Sequence, residues 1–312
     1  MSKAAKYSLL SISLATGLFL VVLWIKCEYV PDKLRIPANT ILNTQSSADT
    51  AIYFIGSSRV GNGIDAPFLQ TTLGKPVHIL SFAGGTFLAN SILANHLLQQ
   101  PGHKIILVEL SSVTPNITAE FLTMLRVNRV SIAEHLWQLL KQDNGWEYRH
   151  FYLTLLNDVM LQHFNLNTDM KWIVGTKQPV LSRFKALQGN KVLSASSFLQ
   201  PQQMQNVETP PSPGAAHLMQ LVRMIQSTAA GQHKQVLFFS PLNFRSSGER
   251  PMVANVWQRL PETERIGYSD DWLKAVSRPE YLHDEIHLNV HGARVFSKGW
   301  VPVLDSLLHL RH

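Results

Sequence analysis

Tyr53-Phe54-Ile55-Gly56-Ser57-Ser58-Arg59-Val60 is the stretch that most limits how this chain can fold. An apolar run without polar alternation reads as a strand covered on both faces, the situation of a parallel sheet. The run stops at a glycine, two serines and an arginine. These polar residues therefore fall where the strand gives way to a helix or loop. In open α/β sheets the crevice outside the carboxyl ends of the strands is where ligands bind. Ser58 is accordingly a candidate nucleophile, and the competing reading is a polar turn that closes a core strand.

The same pattern recurs along the chain. Val77-His78-Ile79-Leu80 runs into Ser81-Phe82-Ala83-Gly84-Gly85-Thr86, and Leu88, Ile92, Leu93 and Leu97 follow at helical spacing. A third strand is expected over 104–110, and Asp65 with Pro67 can start a short helix after the first. Further on, Leu218, Leu221, Val222 and Ile225 mark a helix capped by Ser212 ahead of Pro213. A strand Val236-Leu237-Phe238-Phe239 then ends at Ser240-Pro241-Leu242-Asn243-Phe244-Arg245. The last element is Asp284-Glu285-Ile286-His287-Leu288-Asn289, followed by a helix through Ala293, Phe296, Trp300 and Leu304 with Asn289 as its N-cap. Strands alternating with helices predict an α/β fold, three layers with a parallel sheet in the middle.

Two segments depart from that rhythm. Residues 7–25 carry no charge, and Lys3 and Lys6 precede them while Trp24 and Tyr29 sit at their far edge. At 1.5 Å per residue the stretch reaches roughly the 30 Å of a bilayer core, and no small-residue cleavage site follows. Residues 1–27 are expected to be an uncleaved signal anchor with its amino terminus in the cytoplasm, and the polar residues 28–49 a tether. The single cysteine, Cys27, follows Lys26, which argues against a lipoprotein cleavage site, and one cysteine builds neither an internal disulfide nor a thiolate metal site. The second departure is a helical insertion at about 115–213 within the domain expected over 50–312. Ile132, Leu136, Leu139 and Leu140 mark one amphipathic helix, and Tyr148, Phe151, Tyr152, Leu155, Leu156 and Val159 another. An irregular, proline-rich stretch follows, from about 167 to 213. The insertion reads as a cap beside the active site or as a spacer packed on the fold.

The formal net charge of +7 is scattered rather than clustered. That pattern points away from nucleic acid and is compatible with an anionic membrane or cell-wall polymer. His78, His283 and His291 have no metal-ligand spacing, and nothing in the sequence calls for a metal or another cofactor.

Serine-dependent acyl transfer needs a hydroxyl, a base, a group that orients the base, and donors for the oxyanion. Ser58 supplies the first. Asp284-x-x-His287 supplies the next two, because a three-residue separation in a turn lets the carboxylate fix the imidazole tautomer and leaves the other nitrogen for the serine. The backbone N–H groups of Ser58 and Gly84 are the expected oxyanion donors, in a Gly84-Gly85 turn where the missing side chains admit a substrate. Arg59 either binds an anionic group of a substrate or partner, or forms a structural ion pair at the strand end.

This ordered set resembles the SGNH, or GDSL-type, hydrolase superfamily. Gly56-Ser57-Ser58 matches its first block with Ser57 in place of the usual Asp, Gly84-Gly85-Thr86 is similar to its second, and Asp284 to Asn289 matches its last. Val113 stands where the third block has its oxyanion-hole Asn, with Ser111, Asn116 or Asn243 as possible substitutes. The resemblance spans roughly residues 50–110 and 232–310. The membrane-anchored branch, which includes the family of the D-alanyl-lipoteichoic acid biosynthesis protein and polysaccharide O-acylation factors, shares the Gly-Ser-Ser block and lacks the block-three Asn. It implies a single-pass protein of the cytoplasmic membrane with its domain on the periplasmic or extracellular side. It further implies acyl transfer or ester hydrolysis on an envelope polysaccharide, and a membrane-bound O-acyltransferase as partner. Ser58 is then the nucleophile, His287 the base and Asp284 its orienter, with Gly84, Gly85, Arg59 and Asn243 around the substrate. The alternative is a catalytically inactive protein of the same fold that binds an envelope polymer or the acyltransferase.

Overall fold

The structure, a computed structural model, describes residues 50–82, 84–113, 132–141 and 201–309, together with scattered helical positions between 11 and 21, at 121, and between 149 and 156. The chain divides into two compact units, Met1–Leu42 with Ala119–Pro179, and Asn43–Thr118 with Val180–His312. In the first, a helix spans Ile132–Lys141 with Leu136 and Leu139 buried and Trp137 exposed, as the apolar spacing predicts. Most of the expected anchor, all of the tether, and most of the 167–213 stretch lie outside the described residues. Among the described residues no helix is long and apolar enough to cross a membrane.

The second unit is α/β. Five parallel strands, β1 (Ala51–Ser57), β2 (Val77–Phe82), β3 (Lys104–Glu109), β4 (Val236–Phe239) and β5 (Arg265–Ile266), are ordered β2-β1-β3-β4-β5. The connecting helices are α1 (Ser58–Gly63), α2 (Ala66–Leu73), α3 (Phe87–Gln99), α4 (Pro213–Gly231), α5 (Glu249–Arg259), α6 (Asp270–Val276) and α7 (Val290–His309). The strand order reverses between β1 and β3. The first strand's exit, where Ser58 lies, therefore borders the switch-point crevice that such sheets use for ligands.

Side chains alternate across the strands and both faces are covered. Ile52 and Phe54 of β1, Ile105 and Leu107 of β3, and Leu237 and Phe239 of β4 share one core with Ala293, Phe296, Trp300 and Leu304 of α7. Trp300 is fully buried, and Phe54, Phe239 and Trp272 meet it edge-on at 5.0–5.4 Å between ring centroids, the geometry that the ring quadrupoles favour. Tyr53, Ile55, Ile106, Val108 and Phe238 fall on the opposite face and are equally buried, on the side where α3 packs on β1 and on α4. Burial on both faces accounts for the unbroken apolar runs.

Three helix starts follow the capping chemistry in the sequence. Asp65 accepts the Phe68 N–H, Ser212 accepts the Ala215 N–H ahead of α4, and Asn289 Oδ1 accepts the His291 and Gly292 N–H groups at the start of α7. Helices α5 and α6 and the two-residue strand β5 were not anticipated. β3 ends at Glu109, one residue short of the expected limit, and β1 and β2 run further than their apolar cores, to Ser57 and Phe82.

Candidate active site

Ser58 is the first residue of α1, directly after β1. Its N–H, at the helix start, has no intrahelical acceptor. A Cβ on Gly56 would stand 2.3 Å from Val60 Cγ2 and 2.9 Å from Glu109 Oε2. Only glycine lets the chain turn there against Glu109. The two serines have different fates. Ser57 is buried and its Oγ accepts the Arg59 N–H (3.3 Å) and Nε–H (3.1 Å), whereas Ser58 is partly exposed and its Oγ lies 2.8 Å from His287 Nε2.

His287 arrives from the opposite end of the chain on a tight turn before α7. Leu282 and Leu288 form an antiparallel bridge, and the His283 N–H donates to the His287 carbonyl at 2.8 Å. The Asn289 side chain donates to the carbonyls of Glu280 and Leu282, which fixes the base of the turn. His287 Nδ1 lies 2.9 and 2.8 Å from the two Asp284 carboxylate oxygens. Asp284 Oδ1 also accepts the N–H groups of Ile286 and His287, at 3.0 and 2.9 Å. Partial burial opposes ionisation of Asp284, but the hydrogen bond from His287 and the backbone donors outweigh it and hold the carboxyl below its ordinary value. An ionised Asp284 keeps the Nδ1 position protonated and leaves Nε2 free to accept from Ser58. Ser58, His287 and Asp284 are thus one continuous hydrogen-bonded chain, as the sequence predicts.

Any ester turnover that runs through this array should fall on the order of 10⁴-fold when Asp284 is replaced by asparagine, because the amide permits the wrong imidazole tautomer. Since its pKa is depressed in the fold, the stability Asp284 contributes is fully present above the ordinary carboxylate range. It is lost as pH falls through the lower native value. Denaturation profiles of wild type and Asp284→Asn should therefore converge in acid.

Arg59 turns into the interior. It is 7% exposed and forms the hub of a buried network. Its two terminal nitrogens bond both Glu249 oxygens at 3.0 and 3.1 Å, and Nη1 also reaches the Asn243 carbonyl at 3.1 Å. Its Nε lies 3.0 Å from Glu109 Oε1. The Ser57 N–H goes to Glu109 Oε2 at 2.7 Å, and Glu249 also accepts the N–H groups of Ser112 and Arg245. Burial alone would lower the Arg59 pKa, but Glu109 and Glu249 outweigh it and hold it above its ordinary value. Arg59, expected from the resemblance to stand around the substrate, thus forms the structural ion pair of the alternative reading. It ties the end of β1 to the ends of β3 and β4.

Gly84 is exposed, with φ +71°. Gly85 is buried. Its N–H already donates to Phe82 O, and a Cβ there would lie 3.3 Å from Ser57 Cα, so Gly85 serves close packing against the end of β1. Of the candidates for the missing Asn donor, Ser111 is fully buried with Oγ 3.5 Å from Asn90 Nδ2. Asn243 is 3% exposed and lines a small pocket with Arg59, Glu109 and Tyr268. Asn116 lies outside the described residues.

Glu109 and Glu249 were missed on sequence grounds. Glu109 had a usable signal, since a carboxylate ending a wholly apolar strand needs a buried cation, and Arg59 ends the neighbouring strand. Glu249 opens a helix that carries no strong apolar pattern. Among the described residues no group of three or more His, Cys, Asp or Glu is placed to hold a metal ion. No family model matches the sequence, and no curated protein matches it significantly.

Proposed function

We propose that this chain is a serine-dependent acyltransferase or esterase of SGNH type. The observation that carries the reading is the unbroken chain from Asp284 through His287 to Ser58, whose contacts of 2.8–2.9 Å meet the requirement for a base within reach of its nucleophile. The all-parallel sheet, with Ser58 at its switch point, supports it further.

Ser58 Oγ attacks the acyl carbonyl while His287 Nε2 takes its proton, with Asp284 stabilising the imidazolium. The tetrahedral oxyanion is met by the N–H groups of Ser58 and Gly84. His287 then gives the proton to the departing alkoxide or thiolate, which leaves an acyl ester on Ser58. A second hydroxyl, from water or from a sugar, loses its proton to His287 and attacks that ester. Ser58 leaves and recovers a proton from His287, so no other reactant is needed. The charge-free 7–25 segment supports an anchored protein acting outside the cytoplasmic membrane, while the envelope polysaccharide or similar polymer as substrate and the membrane-bound O-acyltransferase as partner rest on the resemblance of the motifs alone.

Val113, in place of an oxyanion-hole Asn, favours a second reading, a non-catalytic protein of this fold that binds the polymer or the acyltransferase. Presteady-state kinetics with 4-nitrophenyl acetate separates the two. The catalytic reading expects a burst of nitrophenolate and an acetylated peptide containing Ser58. Adding an envelope polysaccharide should speed acyl-enzyme breakdown if the acceptor is a sugar. A trace without burst or adduct supports the binding protein.

A further inference from the structure

Arg245, in the loop between β4 and α5, is a cation whose side chain makes no ion pair among the described residues, since the buried carboxylates are taken by Arg59. Its backbone N–H is held by Glu249 at 2.8 Å, which fixes where the side chain starts. The guanidinium, half-buried, reaches the Gly85 carbonyl with a single long contact of 3.5 Å. To do so from β4 it extends past the end of β3 toward the far side of β1, because the sheet order is β2-β1-β3-β4. Gly85 itself packs on Ser57, so the guanidinium stands beside the strand end that carries Ser58. Among the described residues no carboxylate lies within ion-pair distance of it, since the neighbouring Glu249 and Glu109 are engaged by Arg59.

Electrostatics agree with that geometry. Burial and the nearby Arg59 charge outweigh the attraction of Glu109 and Glu249, so the Arg245 guanidinium is held below its ordinary value. A half-buried planar fork beside the end of β1 with one long contact is matched by a carboxylate or a phosphate, which take two parallel N–H bonds. A neutral ester leaves those donors with nothing but water.

We infer that Arg245 binds an anionic oxygen group, carboxylate or phosphate, on the substrate that Ser58 attacks or on its acceptor. This rests on the reading of Ser58 as nucleophile. The site therefore selects an acyl donor or polymer bearing negative charge close to the ester. Arg245 is a specificity-determining residue, and Arg59, one strand end away, is not.

The test is binding to the full-length Ser58→Ala protein, which does not consume the probes. Mono-4-nitrophenyl succinate carries a carboxylate, 4-nitrophenyl phosphate a phosphate, and 4-nitrophenyl acetate no charge. At low ionic strength at least one anionic probe should bind about tenfold or more tighter than the neutral one, as a charge-assisted bidentate contact implies. The better of the two identifies the group. Adding salt should erode the advantage. Arg245→Gln should abolish it, and Arg245→Lys, which keeps the charge without the fork, should retain part of it even if the glutamine variant fails to fold. Equal binding of charged and neutral probes, or an advantage that survives in a folded Arg245→Gln protein, overturns the assignment. Because binding is read without turnover, failure here is distinct from failure of the nucleophile reading, which shows instead as absent covalent labelling of wild type.

Discussion

Replacing Ser58 by alanine is expected to lower ester turnover on the order of 10⁴-fold or more while leaving the fold intact. The size follows from what triads do. Removing a member that acts with the others eliminates covalent catalysis and leaves only binding and oxyanion stabilisation. The intact fold follows from the surroundings. Ser58 is partly exposed and its Oγ is hydrogen-bonded to His287, whereas the buried contacts of the turn belong to Ser57, Arg59 and Glu109. Ser57→Ala is the instructive control. It removes an acceptor from two buried Arg59 donors, so it should destabilise by about 1–3 kcal/mol without removing the nucleophile. Turnover and thermal denaturation measured on both variants check the assignment, and a Ser57→Ala protein that is folded but inactive, beside an active Ser58→Ala, would reverse it.

The second large effect concerns stability. Arg59→Met should cost about 3–5 kcal/mol, because it strands Glu109 and Glu249 in the interior without their cation. For a domain of this size that is a fall in melting temperature of roughly 10 °C. Both carboxylates are almost wholly enclosed, with side-chain exposures of 1% and 2%. The network also joins the backbone of Ser57, Ser112 and Arg245, so the crevice should loosen along with the fold. Arg59→Lys keeps the charge but cannot serve both Glu249 oxygens and the Asn243 carbonyl at once, and an intermediate loss is expected. Urea denaturation reads both. If Arg59 instead held substrate, the substitution would raise KM and leave the unfolding midpoint in place.

The parallel α/β character was legible because both sheet faces are buried, which writes each strand as an unbroken apolar run ended by polar residues. The caps at Asp65, Ser212 and Asn289 were legible because capping is local chemistry. The triad could be read because Asp284 and His287 lie three residues apart and because glycine marks the turn at Ser58. Helix α5 was opaque. It holds Pro251, Asn255 and Gln258 among its apolar residues, and its contribution is the buried Glu249, a role set by Arg59, 190 residues away in the chain. Arg59 itself was ambiguous for the same reason. An arginine beside a nucleophile can face a substrate or the interior, and only the positions of Glu109 and Glu249 decide between them. The partners of β5 are likewise tertiary, since a two-residue strand carries no periodicity.

The central claim is that His287 activates Ser58. The most direct measurement is covalent labelling by a fluorophosphonate, with the adduct located by peptide mass spectrometry. Wild type should react at one serine, Ser58. His287→Ala should react far more slowly at the same residue, and Ser58→Ala should not react there at all. Equal labelling of wild type and Ser58→Ala, or labelling of Ser58 that does not depend on His287, would contradict the account.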